Sequence, residues 1–127
     1  SYNMRKLLGL LLFLSVGFSQ ITDKNFKSNV NGGVTLAVFE SDWQEQPFDK
    51  DIISDVKGFE GCKIIYVKSE DAPKASKKLR LRNFPSMVLF YDGSKKETWK
   101  ADMDGELDCD NKEVKKAISN LFAGDLF

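Results

Sequence analysis

Apolar positions along this chain fall into two rhythms, short unbroken runs and stripes three or four residues apart. Val34-Thr35-Leu36-Ala37-Val38-Phe39 is nearly continuous, which suits a central strand covered on both faces. Lys63-Ile64-Ile65-Tyr66-Val67-Lys68 has the β-branched and aromatic bias of a second strand, and Ser86-Met87-Val88-Leu89-Phe90-Tyr91 reads as a third. Asp92-Gly93 is the strongest hairpin signal in the chain, since both residues accept positive φ. It leads into a charged, alternating segment through Thr98 and Trp99 that suits an edge strand.

The helical stripes lie between these runs. Thr22 is placed to cap a short helix from Asp23, with Phe26 and Val30 on its buried face and Asn31-Gly32-Gly33 to stop it. Pro47 suits the first position of a helix, where its missing N–H is no loss, and Phe48, Ile52, Ile53 and Val56 follow at helical spacing until Gly58 and Gly61. Ser69-Glu70-Asp71 opens a helix carrying Ala75 and Leu79, which Asn83-Phe84-Pro85 breaks. Asp110 or Asn111 caps a last helix with the stripe Val114, Ile118, Leu121 and Phe122. The order helix, strand, helix, strand, helix, strand, strand, helix predicts one α/β domain. Its mixed sheet of four or five strands is flanked by helices on both faces.

The first residues read as an address. Ser1-Tyr2-Asn3 resembles a cloning scar before Met4, Arg5 and Lys6 give a positive start, and Leu7 to Phe18 is almost wholly apolar. Gly17 and Ser19 then set small residues two apart, as a signal peptidase needs. Residues 1–19 are therefore expected to be a secretory signal and residues 20–127 the domain, exported to a periplasm or the medium. The apolar run is shorter than the ~20 residues of a membrane span. No membrane role beyond export is expected.

Composition narrows the chemistry. The 127 residues contain no His, which removes the commonest general base, the Ser-His and Cys-His pairs and imidazole-based zinc sites. Positive and negative side chains balance at 19 each, so net charge points to no nucleic acid partner. Two Cys cannot build a Cys₄ site. No cofactor or metal is expected.

At Leu81-Arg82-Asn83-Phe84-Pro85-Ser86, followed by the apolar run and Asp92-Gly93, the chain resembles the thioredoxin family. The run from Val34 to Trp43 resembles that family's first core strand and the Trp before its active-site cysteines. The resemblance covers roughly residues 21–123 and implies a thioredoxin-like fold with a cis bond at Phe84-Pro85. It also implies that the backbone beside Pro85 pairs with an extended partner segment. The departures concern the chemistry. Trp43 is followed by Gln44-Glu45-Gln46-Pro47 in place of Cys-x-x-Cys, the family's buried Asp is Val38, and Ala101 stands for a late glycine. Disulfide exchange needs a thiolate, and neither motif position supplies one. The resemblance therefore implies a domain without the family's redox activity.

Several features stay open on sequence alone. Trp43, Gln44, Gln46, Phe84 and Pro85 form either a groove for a protein or peptide or a loop packed on the scaffold. Cys62 and Cys109, 47 positions apart, could form a disulfide, sit as small half-buried residues, bridge two molecules through Cys109, or carry non-standard thiol chemistry. We favour no bridge between them, because the element order does not bring them together. The acidic loop Asp102, Asp104, Glu106, Asp108 and Asp110 fails the EF-hand spacing and suits a solvated loop. Lys68, Lys74, Lys77, Lys78, Arg80 and Arg82 form a solvated basic face or meet an acidic partner, including the acidic loop of another copy in a homo-oligomer. An apolar N-terminal helix docking into a neighbour is a further assembly reading.

Overall fold

A computed structural model of the chain describes residues 20–124, so the expected export signal over residues 1–19 lies outside the described residues. Four strands form one mixed sheet: β1 (Val34–Glu40), β2 (Cys62–Lys68), β3 (Ser86–Tyr91) and β4 (Ser94–Trp99). They lie in the order β2-β1-β3-β4. β1 runs parallel to β2, with Val34 opposite Cys62 and Glu40 opposite Lys68. It runs antiparallel to β3, with Val34 opposite Tyr91 and Phe39 opposite Ser86. β3 and β4 form the expected hairpin, and Asp92 and Gly93 take φ of 49° and 86°. The Asp92 carboxylate accepts the Gly33 N–H at 2.7 Å, and the Gly33 carbonyl accepts the Asp92 N–H at 2.9 Å.

Side chains alternate across β1 with period two, and each face has its own core. Val34, Leu36 and Val38 point to one face, where they meet Phe48, Ile53, Val56, Met87 and Leu89. Val114 and Ile118 of helix α3 (Asn111–Gly124) close that layer. Ala37 and Phe39 point to the other face, which holds Val88, Phe90 and Val67. Val30 of helix α1 (Phe26–Val30) and the residues around helix α2 (Pro73–Lys78) cover it. Each fully buried Val, Leu or Phe contributes roughly 1.5–3 kcal/mol, so the unbroken apolar run of β1 anchors both layers. Among the described residues no helix is long and apolar enough to cross a membrane.

Three expected helix boundaries are corrected. The stripe from Pro47 does not form an α-helix. Pro47 is exposed in a loop, and Lys50–Ile53 and Val56–Gly58 form two 3-10 turns. Phe48, Ile52, Ile53 and Val56 are buried as their spacing requires, but a three-residue repeat satisfies that spacing nearly as well as a 3.6-residue one. The Asp49 carboxylate takes the Asp51 N–H at 3.0 Å, and such side-chain bonds compete with a helical ladder. Helix α2 starts at Pro73, not Ser69. Its first N–H groups are capped from afar, since the Asp23 carboxylate accepts Lys74 N–H at 3.1 Å and Ala75 N–H at 2.9 Å. Asp23 is thereby drawn out of α1, which begins at Phe26. Thr22 caps nothing there, its own N–H donating to the Asn25 side chain at 2.7 Å. The last helix is capped by Asp110, whose carboxylate accepts the Glu113 N–H at 2.9 Å.

Candidate functional site

The Phe84-Pro85 peptide is cis, and both residues are buried where β3 begins. The turn is tied to the segment after β4. The Ser86 hydroxyl donates to the Asn83 carbonyl at 2.8 Å and accepts the Ala101 N–H at 3.0 Å. Beyond Ala101 the acidic loop folds back. Gly105, at φ 82°, lies against the Phe84 carbonyl and Gln46, and a Cβ there would come within 3.3 Å of that carbonyl oxygen.

Facing this turn, residues 41–46 leave the end of β1 through a polar knot. The Ser41 hydroxyl donates to the Glu70 carboxylate at 2.6 Å, which also accepts the Asp42 N–H at 3.3 Å. The hydroxyl bond holds the Glu70 carboxyl below its usual range. Asp42 pairs with Lys68 at 2.9 Å, and that hydrogen bond pushes the Lys68 ammonium up. Gln44 accepts the Ser41 N–H at 2.9 Å through its side-chain oxygen and donates to the Gln46 carbonyl at 3.0 Å. The Gln44 side chain is thus engaged with its own loop at both ends, and Gln46 takes part through its main chain. The result is that Trp43 stands out from the surface, 61% exposed, while its ring meets the edge of Phe84, which is only 4% exposed, at 5.5 Å and 84°.

Beside this aromatic pair lies an open cleft of about 670 Å³, lined by Trp43, Phe84, Lys77, Arg80, Leu81 and Arg82 among others. The structure therefore brings Trp43, Phe84 and Pro85 together and sets Gln44 and Gln46 to one side. Lys77, Arg80 and Arg82 join the site from the stretch that reads in sequence as a solvated basic face. The helix N-terminus expected after Trp43 is not formed, because Pro47 lies in a loop ahead of the first 3-10 turn. Val38, at the position of the family's buried Asp, is fully buried among the apolar residues of the first core layer.

The thiols lie elsewhere. Cys62 opens β2 and Cys109 precedes α3, and both are half-buried, free and packed against the first core layer. Burial pushes each thiol up to about 11, with the carboxylates of Glu113, Asp110 and Asp108 adding to the effect at Cys109. In the acidic loop the Asp102 carboxylate accepts the N–H groups of Asp104 and Glu106, both at 2.9 Å. Among the described residues no three His, Cys, Asp or Glu side chains converge as a metal site would need.

No protein-family model and no curated protein sequence matches the chain. Solved structures do. A thioredoxin of Malassezia sympodialis, Mala s 13, superposes with a TM-score of 0.60 at 17% identity, over 78% of this chain and 84% of its own. The chain has a thioredoxin-like fold. A mutant thioredoxin from Entamoeba histolytica gives 0.57 at 15% identity over 76% and 91% of the two chains. A point mutant of the Halobacterium salinarum thioredoxin gives 0.54 at 17% over 77% and 80%. On this thioredoxin-like frame, Trp43 and the cis-proline turn meet at one end of the sheet, and the four residues after Trp43 contain no sulfur.

Proposed function

We propose that this chain is an exported, redox-inactive thioredoxin-like module that binds a protein or peptide through the face bearing Trp43. The observation that carries the reading is the exposed indole itself. A Trp held away from the surface by a hydrogen-bonded turn, with a buried aromatic at its edge, is the kind of anchor that dominates binding interfaces. The open cleft beside it gives an extended segment room to lie down. Redox inactivity is supported by the absence of Cys from residues 44–47 and by the raised thiols of Cys62 and Cys109. A thiol near 11 is ionised to roughly one part in ten thousand at neutral pH, and the thiolate is the nucleophile. The same shifts weigh against the alternative of non-standard thiol chemistry at either cysteine. Export rests on the three-part pattern of residues 1–19.

The test is selection of a displayed library of extended peptides against the wild-type protein, followed by titration calorimetry. Trp43→Ala is expected to weaken the enriched peptides at least about tenfold, as loss of a central aromatic anchor does. Unchanged affinity would sink the assigned face. In a parallel insulin-reduction assay the protein is expected to give no rate above buffer, and a rate lost in Cys62→Ser or Cys109→Ser would restore the thiol alternative.

A further inference from the structure

The cleft beside Trp43 carries charge of one sign. Lys77, Arg80 and Arg82 line it, and no carboxylate does. A neighbouring cleft of about 320 Å³ shares Arg80 and Arg82 and adds Lys100. All four side chains are exposed, and among the described residues none of them is ion-paired. Two other cations are paired, Lys68 with Asp42 and Lys115 with Asp55, so what marks the cleft is the clustering of its cations with no carboxylate in its lining. In a chain whose charges sum to zero, four exposed cations around two adjoining hollows are a local concentration that repels itself and favours an anion.

Arg80 adds a second, independent observation. It follows α2 at φ 60°, in the left-handed region, where the chain closes the helix through Leu81 N–H to the Ser76 carbonyl at 3.0 Å. Glycine is the usual residue at this position, because a Cβ is sterically disfavoured there. An arginine at this position forgoes the better cap, and it lines both clefts.

The cations are also fenced. Asp42 and Glu70 meet next to Trp43, and the acidic loop meets both the Phe84 carbonyl and Gln46 at Gly105. A long polyanion extending past the cleft would meet these neighbouring carboxylates, whereas a short acidic segment within it would not. We propose that the cleft captures a short acidic stretch of a partner polypeptide, whose carboxylates pair with Lys77, Arg80 and Arg82 while an apolar neighbour packs on Trp43. This rests on the peptide-binding reading above and names its substrate class.

The experiment uses a fluorescein-labelled hexapeptide of Glu and Asp around one Phe. Its Gln/Asn counterpart and a single-stranded oligonucleotide of equal charge serve as comparisons. Anisotropy is expected to show the acidic peptide bound at least about tenfold tighter than the amide peptide, and weakening between about 50 and 300 mM NaCl as screening sets in. Lys77→Gln and Arg82→Gln are each expected to weaken it about threefold to tenfold, in line with loss of one charge-assisted pair. Arg80→Gly is expected to weaken it similarly while raising the urea midpoint, a split that a merely structural arginine would not give. Equal binding of the amide peptide overturns the proposal, as does an Arg80→Gly variant of unchanged affinity. Tighter binding of the oligonucleotide overturns it in favour of nucleic acid. A salt-sensitive dimer abolished by neutralising loop 102–110 overturns it in favour of a second copy. If the acidic preference fails while Trp43→Ala still weakens library-selected peptides, only the substrate class is lost and the peptide-binding reading stands.

Discussion

The two segments that meet at the cleft are held in opposite ways. Residues 84 and 85 sit in the protein interior, and Phe84 belongs to the second core layer with Phe39 and Val88. Residues 41–46 are held by polar bonds, Ser41 to Glu70, Asp42 to Lys68 and Gln44 to Ser41, and their one large apolar side chain faces water. One half of the site is core that reaches the surface, and the other is surface laid over core. Fold and recognition are therefore separable here by neighbouring substitutions.

The largest expected effect lies on the buried half. Phe84→Ala should lower unfolding free energy by about 3–5 kcal/mol, the range for truncating a buried aromatic. Trp43→Ala should stay within about 0.5 kcal/mol, as exposed sites do. Urea denaturation of both variants measures the contrast, and similar losses for the two would erase it. A smaller effect lies on the polar half. Ser41→Ala removes the hydroxyl that holds the Glu70 carboxyl low, and solvent screening should keep the loss below about 1 kcal/mol. A carboxyl whose folded-state value is depressed contributes stability above its unfolded value and loses it as pH falls through the folded one. The gap between wild type and Ser41→Ala should therefore be widest near neutrality and shrink in acid, with the NMR titration of Glu70 moving up in the variant. A gap independent of pH would mean that Ser41 acts by packing alone.

How much of this could be read from the sequence depended on the range of the interactions. The strands are visible because an apolar run such as Val34–Phe39 states its own burial, and Asp92-Gly93 states its own turn. The resemblance at Leu81–Ser86 located the cis-proline turn for the same reason. The stretch after Pro47 misled because four apolar residues over nine positions fit an α-helix and a pair of 3-10 turns nearly equally, and the carboxylates that decide the matter look like ordinary helix surface. The start of α2 was hidden because its cap, Asp23, lies 51 residues away. The Ser41–Glu70 bond spans 29 residues and leaves no local mark. Arg80 was hidden for a different reason. A left-handed residue is announced by glycine or asparagine, and an arginine there looks like one more surface cation.

β4 shapes how molecules of this chain meet when crowded. It is one of the two borders of the sheet, and it carries Lys95, Lys96 and Glu97, all exposed. The ladder joining it to β3 slips out of step between Leu89 and Phe90. An incoming strand would have to match a stepped, charged margin before gaining a single main-chain bond. Fusion into fibres along this border is thereby discouraged.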